Sequence, residues 1–87
     1  MMQQTVELNN KDVLGLKPIT QLVQEASRFH SEISLTHKGR KVNLKSLLGV
    51  TTLMLGNKQK VTIETSGQDE KEALEHLLKS LNRLADT

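Results

Sequence analysis

Ser46 is the residue whose position suggests chemistry most directly, because it stands in front of a short stretch, residues 47–53, with the spacing of a helix. A hydroxyl at a helix N-cap faces the unpaired N–H groups of the first turn, and a phosphate attached there would meet the positive end of the helix dipole. Lys45 is adjacent, and Arg40 and Lys41 are expected to come near it. From spacing alone the simpler interpretation is a cap, which stabilises a helix by about 1 kcal/mol.

The three histidines are the other side chains with chemistry near neutral pH. His30 falls at the end of the first predicted helix, His37 at a hairpin end and His76 in the last predicted helix. We interpret all three as solvated surface residues. The basic run over residues 38–45 suggests nucleic acid, but the total charge is near balance, so we interpret it as a solvated hairpin turn.

The composition of the chain excludes several classes of function. The chain has 87 residues, a net charge of +2, no cysteine and one aromatic residue, Phe29. The length fits one domain over residues 1–87. Without cysteine there is no disulfide or thiolate chemistry, and we predict neither a metal nor a cofactor. Because one aromatic residue is too few to form a platform on which bases stack, single-stranded nucleic acid is not an expected ligand. No apolar stretch approaches the roughly 18 residues of a membrane span, and the first residues do not resemble a signal peptide, so we expect a cytoplasmic protein.

Hydrophobic spacing predicts seven elements. Alternation predicts strands over 5–9, 32–37, 41–44 and 60–65. Helical spacing predicts helices over 18–28 and 46–53 and a last helix that opens at 67–70, with an apolar stripe reaching Leu84. Pro18 suits the first helical position, because its missing N–H would be unpaired there. Turns are predicted at 9–12, 38–40 and 56–59.

Each predicted strand has one apolar face and one polar face. This pattern predicts an α+β fold, an open-faced β-sandwich in which a four-stranded antiparallel sheet carries three helices on one face, in the order βαββαβα. The residues expected on the open face are Thr5, Glu7, Glu32, Ser34, Thr36, Thr62 and Glu64.

Two segments carry a resemblance to a known family. The stretch V42-N-L-K-S-L-L-G-V50, followed downstream by S66-G-Q-D-E-K-E-A-L74, resembles HPr, the small histidine-containing phosphocarrier of the bacterial sugar phosphotransferase system. The resemblance extends over nearly all of the chain without a gap. It implies the same open-faced fold and a protein that is not an enzyme.

The residue on which a phosphocarrier depends is absent. HPr proteins carry a loop of the form G-[LIV]-H-A-R-P, whose histidine accepts phosphate from enzyme I. Alignment on Pro18 places Gly15 at the histidine position, Leu16 at the small residue and Lys17 at the arginine. Sliding the loop places Lys17 at the histidine position but loses the spacing to Pro18. Glycine has no side chain to phosphorylate, and an exposed lysine is protonated at neutral pH, so phosphocarrier activity is not expected.

The resemblance gives Ser46 a second role. In many HPr proteins this serine is phosphorylated by an ATP-dependent enzyme, the HPr serine kinase/phosphorylase, and the phosphoprotein then binds a catabolite-control repressor. Crh-like paralogues lack the histidine and keep the serine, although they ordinarily have glutamine where Gly15 stands. The resemblance therefore implies a Crh-like regulatory protein of carbon catabolite control that docks on a repressor or a metabolic enzyme.

The resemblance also implies a docking surface at the head of the first helix and along the short helix. At helical spacing Leu47 and Leu48 cannot both point inward together with Val50 and Leu53, so at least one should be exposed. Thr51 stands where many relatives have methionine. The residues expected to contact a partner are Leu16, Lys17, Thr20, Lys45, Leu47, Leu48 and Thr51.

Two other hypotheses remain open. One is a phosphotransfer protein with an altered acceptor, Lys17 or His30. The other is a docking scaffold that is never phosphorylated. The expected assembly is a monomer or a weak homodimer, since exchange of an N-terminal strand is conceivable in so small a domain.

Overall fold

The structure, a computed structural model, describes residues 1–8, 13–56 and 58–85, without the side chains of the last two. The strands are β1 (Met2–Glu7), β2 (Glu32–His37), β3 (Arg40–Asn43) and β4 (Lys60–Ser66), and the helices are α1 (Leu16–Ala26), α2 (Leu47–Thr51) and α3 (Glu70–Ala85). The element order is the predicted one. The turn predicted at 9–12, Asn57 in the turn predicted at 56–59, and the side chain of Leu84 lie outside the described residues.

The four strands form one antiparallel sheet in the order β1-β4-β2-β3. One face is open, and across it the Thr5 and Thr62 hydroxyls lie 2.8 Å apart. The other face carries the helices, as the contacts of α3 with β1 and β4 and of α2 with β3 show. This arrangement confirms the predicted α+β open-faced β-sandwich.

The core lies between the sheet and the helices, and it consists mainly of leucine, isoleucine and valine. Ile33, Leu35, Val61 and Ile63 alternate inward from the two central strands, as their period of two requires. The helices contribute Ile19, Leu22, Ala26, Val50, Ala73, Leu74, Leu77 and Leu81.

The first helix differs from its prediction at both ends. It begins at Leu16, so that Pro18 occupies the third helical position rather than the first. The missing N–H still costs nothing there, because the first intrahelical bond joins Ile19 N to Gly15 O at 3.3 Å. The helix ends at Ala26 rather than near Arg28, because the last turn tightens: the Arg28 N–H donates to Glu25 O at 3.2 Å.

A carboxylate clamp joins the loop after α1 to the start of α3. The Asp69 carboxylate accepts the backbone N–H groups of His30 and Ser31, each at 2.9 Å, and also the Ser31 hydroxyl. The Ser31 hydroxyl, followed by the His30 N–H, lowers the pKa of Asp69 from 3.8 to about 2, because hydrogen bonds favour the charged form. The clamp fixes the entry into β2.

Candidate functional site

Ser46 is the N-cap of α2, as predicted. Its backbone is extended and its Oγ accepts the Gly49 N–H at 3.3 Å. A tight turn presents it: the Ser46 N–H donates to Asn43 O, and the Lys45 N–H donates to the Asn43 side chain, both at 2.9 Å. A Cβ at Gly49 would lie 3.5 Å from the Ser46 Oγ, so the glycine leaves room around this hydroxyl. The hydroxyl thus stands at a fixed, partly buried position at the end of β3.

The basic residues expected around Ser46 have partners elsewhere, which corrects that expectation. Lys45 directs its amine to Phe29 O at 2.7 Å. The Arg40 Nη2 donates to the Thr52 Oγ1 at 3.2 Å, at the opposite end of α2. Lys41 pairs with Glu64 at 2.8 Å on the sheet. Neighbours in sequence separate here because β3 runs away from Arg40 toward Ser46 and alternates its side chains between faces.

Gly15 lies at the head of α1, with open space where a side chain would stand. It is the N-cap residue, with φ −78° and ψ −178°, and no side chain caps the helix. A Cβ at Gly15 would have no heavy atom within 4 Å. The Leu14 N–H donates to Leu55 O at 2.8 Å, which fixes the head of α1 beside the segment that follows α2. The position that the family motif gives to histidine is therefore exposed and unobstructed.

The residues expected to dock a partner fall on two helices that pack together, α1 and α2, except Lys45, which lies in the turn before α2. Leu16 is 65% exposed, Leu48 82% and Leu47 36%, so both leucines of the short helix reach solvent and the expectation that at least one would is confirmed. Lys17 is also exposed, whereas Thr20 is half-buried. The half-buried Thr51 donates its hydroxyl to Leu48 O at 2.9 Å.

In the loops that flank α1 and α2, sequence reasoning missed two exposed apolar side chains. Val13 is 50% exposed and Met54 61%. Val13 Cγ2 lies 3.5 Å from where a Gly56 Cβ would stand, so the loop before α1 contacts the loop after α2. Both residues lie outside helices and strands, where hydrophobic periodicity gives no signal.

The histidines are not uniformly solvated, which corrects the interpretation drawn from sequence. His37 is 8% exposed, and its Nδ1 lies 3.2 Å from Lys60 O. The His76 Nε2 lies 2.8 Å from the Glu25 carboxylate, and its ring is tilted against Phe29 with centroids 5.6 Å apart. Only His30 is exposed as predicted. It follows the C-terminal end of α1, an 11-residue helix that separates it from Gly15 by roughly 16 Å.

Neither a metal centre nor a membrane span emerges from the described part of the chain. Over residues 1–8, 13–56 and 58–85 no three histidine, aspartate or glutamate side chains form a group that could hold a metal ion. None of the helices described is both long and apolar enough to cross a bilayer.

Comparison with known proteins identifies the family. A family model described as the PTS HPr component phosphorylation site matches residues 2–83. The chain belongs to the HPr family. The HPr-like protein Crh of Bacillus subtilis is 44% identical over 77 residues, which cover 88% of this chain and 91% of that protein. The phosphocarrier protein HPr of Buchnera aphidicola is 42% identical over the same coverage of both chains. Overall identity is thus nearly equal for a Crh protein and for a carrier HPr.

Solved structures agree with this assignment. HPr from Thermoanaerobacter tengcongensis superposes with a TM-score of 0.91 at 32% identity, covering 100% of this chain and 98% of that one. A crystal structure of Bacillus subtilis Crh, described as a dimer with a swapped domain, gives a TM-score of 0.76 at 40% identity and covers 97% of each chain. Proteins of this family are phosphocarriers or regulators, and the resemblance of this chain to HPr and Crh is confirmed.

Proposed function

We propose that this HPr-family chain is a cytoplasmic regulatory protein of carbon catabolite control, built as a single domain of residues 1–87. An ATP-dependent HPr serine kinase/phosphorylase phosphorylates Ser46, and the phosphoprotein docks on a transcriptional repressor or a metabolic enzyme. It does not carry phosphate from enzyme I to sugar permeases. The observation that carries the proposal is the pairing of a presented serine hydroxyl at position 46 with an empty position at Gly15.

The geometry around Ser46 supports it as a phosphoacceptor. The hydroxyl is partly exposed, its backbone is extended, and the hydrogen bond that it accepts from the Gly49 N–H is long at 3.3 Å. A phosphate adds strong acceptor oxygens beside the first turn of α2 without disturbing the core. It would stand directly beside Leu47 and Leu48, so phosphorylation adds charge to the edge of an apolar surface that a partner can read.

The arrangement around Gly15 supports the loss of carrier activity. A phosphocarrier needs a nucleophile near neutral pH, and imidazole supplies one where glycine cannot. His30 lies beyond the far end of α1, His37 is buried and His76 is paired with Glu25. No described histidine therefore replaces the missing one at the head of α1.

The docking surface that we assign joins both helices. Leu16, Lys17 and Thr20 contribute from α1, and Leu47, Leu48 and Thr51 from α2. Exposed leucines beside a single lysine suit a partner that offers an apolar pocket with an acidic rim. Lys45 can join this surface only if its amine breaks the hydrogen bond to Phe29 O. We therefore expect it to contribute least to partner binding.

The decisive experiment is intact-mass spectrometry of two parallel reactions. One contains ATP and an HPr serine kinase, and the other contains phosphoenolpyruvate and enzyme I. We expect one phosphate in the ATP reaction only, its loss in Ser46→Ala, and its retention in Ser27→Ala, which removes an exposed serine elsewhere.

The other outcomes select the competing hypotheses. Phosphate transfer from enzyme I would replace the proposal with a carrier whose acceptor is Lys17 or His30. No phosphate in either reaction would leave a docking scaffold, and pull-down with the unmodified protein would then identify its partner. Assembly is expected to be monomeric or weakly dimeric, in keeping with the swapped dimer described for Bacillus subtilis Crh.

A further inference from the structure

Four exposed cations gather at one end of the sheet, away from Ser46. We call Lys38, Arg40, Lys58 and Lys60 the basic end. They come from the β2–β3 turn, the first residue of β3 and the segment that enters β4. All four are exposed.

Strand pairing brings these segments together. His37 pairs with Arg40 across the hairpin, and its Nδ1 lies 3.2 Å from Lys60 O. The Lys58 N–H donates to Leu8 O at 2.7 Å, which ties this residue to the end of β1. The C-terminal ends of β1 and β2 and the N-terminal ends of β3 and β4 therefore meet at the basic end.

The four cations of the basic end form no ion pair with the described residues. Among the residues that the structure describes, no carboxylate lies within 4 Å of any of the four cationic groups, although Lys41 and Arg83 have such partners. Glu7 is opposite Lys60 in the β1–β4 register and forms no ion pair with it. Because the whole chain carries only +2, the residues outside the basic end have a net negative charge.

Local backbone preference does not account for these lysines. Lys38 has φ +50° and Lys58 has φ +61°, both in the left-handed region where asparagine and glycine are favoured. Gly39, with φ +80°, completes a two-residue hairpin turn for which Asn-Gly is the preferred pair. Lysine at both positions adds charge where another residue would suit the backbone better.

We propose that the basic end is a docking surface for an acidic segment of a protein partner. Two observations favour protein over nucleic acid. No aromatic residue lies there for bases to stack on, since Phe29 packs against His76. Met54, which is 61% exposed, lies two residues after Thr52, whose hydroxyl accepts from the Arg40 guanidinium, so the chain next to this hydrogen bond offers an adaptable apolar side chain. Opposite charges across an interface speed and orient association.

The test titrates the unphosphorylated protein with a short glutamate-rich peptide that contains one leucine, followed by amide NMR shifts. The amides of residues 37–41 and 58–60 are expected to shift, and binding should weaken as salt is raised. The double variant Lys38→Asn with Lys58→Asn should weaken binding at least about fivefold, a size set by exposed ion pairs. It should also keep or raise Tm, because asparagine tolerates the left-handed backbone.

The matched control removes the same charge from α3, with Lys71→Gln and Lys79→Gln, both at exposed sites. Equal weakening in the control would show that only net charge matters and would overturn the proposal. Absent shifts at the basic end would overturn it too, as would tighter binding of an RNA strand of equal charge. If the asparagine variant is destabilised, Arg40→Gln with Lys60→Gln provides the same comparison. None of these measurements depends on phosphorylation of Ser46. The proposed function can therefore be disproved while the proposal about the basic end stands, and the reverse.

Discussion

At the residue scale, the proposed loss of carrier activity depends on Gly15. The backbone still forms a helix N-cap there, and the position remains exposed beside Leu16 and Lys17. No heavy atom of the described structure lies within 4 Å of where a Cβ would stand, so a side chain has room there. A phosphoacceptor could therefore be introduced here without repacking the protein.

We expect the double substitution Gly15→His with Lys17→Arg to accept phosphate from enzyme I. The imidazole would stand at the head of α1, with a guanidinium two residues away to bind the phosphoryl oxygens. Intact mass after reaction with phosphoenolpyruvate and enzyme I measures the transfer, and Lys17→Arg alone is the control. A double variant that stays unmodified while folded would mean that the surface contacting enzyme I has diverged as well.

Asp69 makes stability depend on pH in a defined direction. Its pKa is lowered to about 2 in the folded chain from 3.8, so the carboxylate stabilises the fold above pH 3.8 and loses this effect as pH falls toward 2. Asp69→Asn should lower the free energy of unfolding at neutral pH, and the difference from the parent chain should shrink over that interval. Urea unfolding at neutral pH and at pH 2 measures it.

The control for this prediction is Glu72→Gln, which removes an exposed charge from the same first turn of α3. The pKa of Glu70 is also lowered, chiefly by the N-terminal amino group. Glu70 therefore makes the same pH-dependent contribution to the stability of parent and variant, and this contribution cancels in their difference. If the difference in the free energy of unfolding between parent and Asp69→Asn were unchanged at pH 2, the clamp would stabilise the fold through packing and hydrogen-bond geometry and not through the charge of Asp69.

At the scale of elements, the turn between β4 and α3 depends on glycine. Gly67 has φ +151°, and a Cβ there would lie 2.7 Å from the Ser31 Oγ and 2.8 Å from the Ser31 Cα. Gly67→Ala should therefore cost at least about 2 kcal/mol, from backbone strain and from displacing the loop that carries Ser31. Chemical denaturation measures the loss.

Gly39→Ala separates these two causes. Its φ is +80°, but a Cβ there would contact nothing within 4 Å, so only backbone strain should appear. Equal losses of stability at both glycines would mean that the close approach of Ser31 to Gly67 adds no cost, because the loop that carries Ser31 moves away from the new methyl group.

The strands could be placed from sequence because a period of two is visible locally, although β1 begins at Met2 and ends at Glu7 rather than spanning the predicted 5–9. Val61 and Ile63 alternate with polar residues, and β4 extends only one residue beyond its prediction. The start of α1 was missed because Gly15 has no capping side chain and Pro18 supplied a stronger start signal. Helix ends are set by backbone hydrogen bonds, of which a side-chain pattern gives only an indirect sign.

In the candidate site, too, the features set by local sequence could be predicted and the contacts between distant segments could not. Ser46 as a cap, and the exposure of at least one of Leu47 and Leu48, followed from spacing along one short helix. The partners of Arg40 and Lys45 did not, because Thr52 and Phe29 lie 12 and 16 residues away in sequence and meet them only through the packing of helices on the sheet. The burial of His37 depends on the neighbouring strand in the same manner.

At the scale of the whole molecule, β1 is an edge strand that two copies of the chain could exchange. It pairs only with β4, and within it only Met2 and Val6 are as much as half-buried. Strand exchange would remake the same ladder between two copies, so folded monomer and exchanged dimer differ mainly in the connection after β1 and in the entropy of association. We therefore expect monomer at low concentration and a dimer fraction that grows as the protein is concentrated.

The pair Thr5 and Thr62 can trap the two forms. They are register partners with hydroxyls 2.8 Å apart, and the chain has no cysteine of its own. In the double variant Thr5→Cys with Thr62→Cys, oxidation should close a disulfide within the monomer and between chains in the dimer fraction. Non-reducing denaturing electrophoresis of fractions separated by size distinguishes these products. A dimer fraction that ran as monomer after oxidation would show that two intact copies associate face to face, with β1 in place in each.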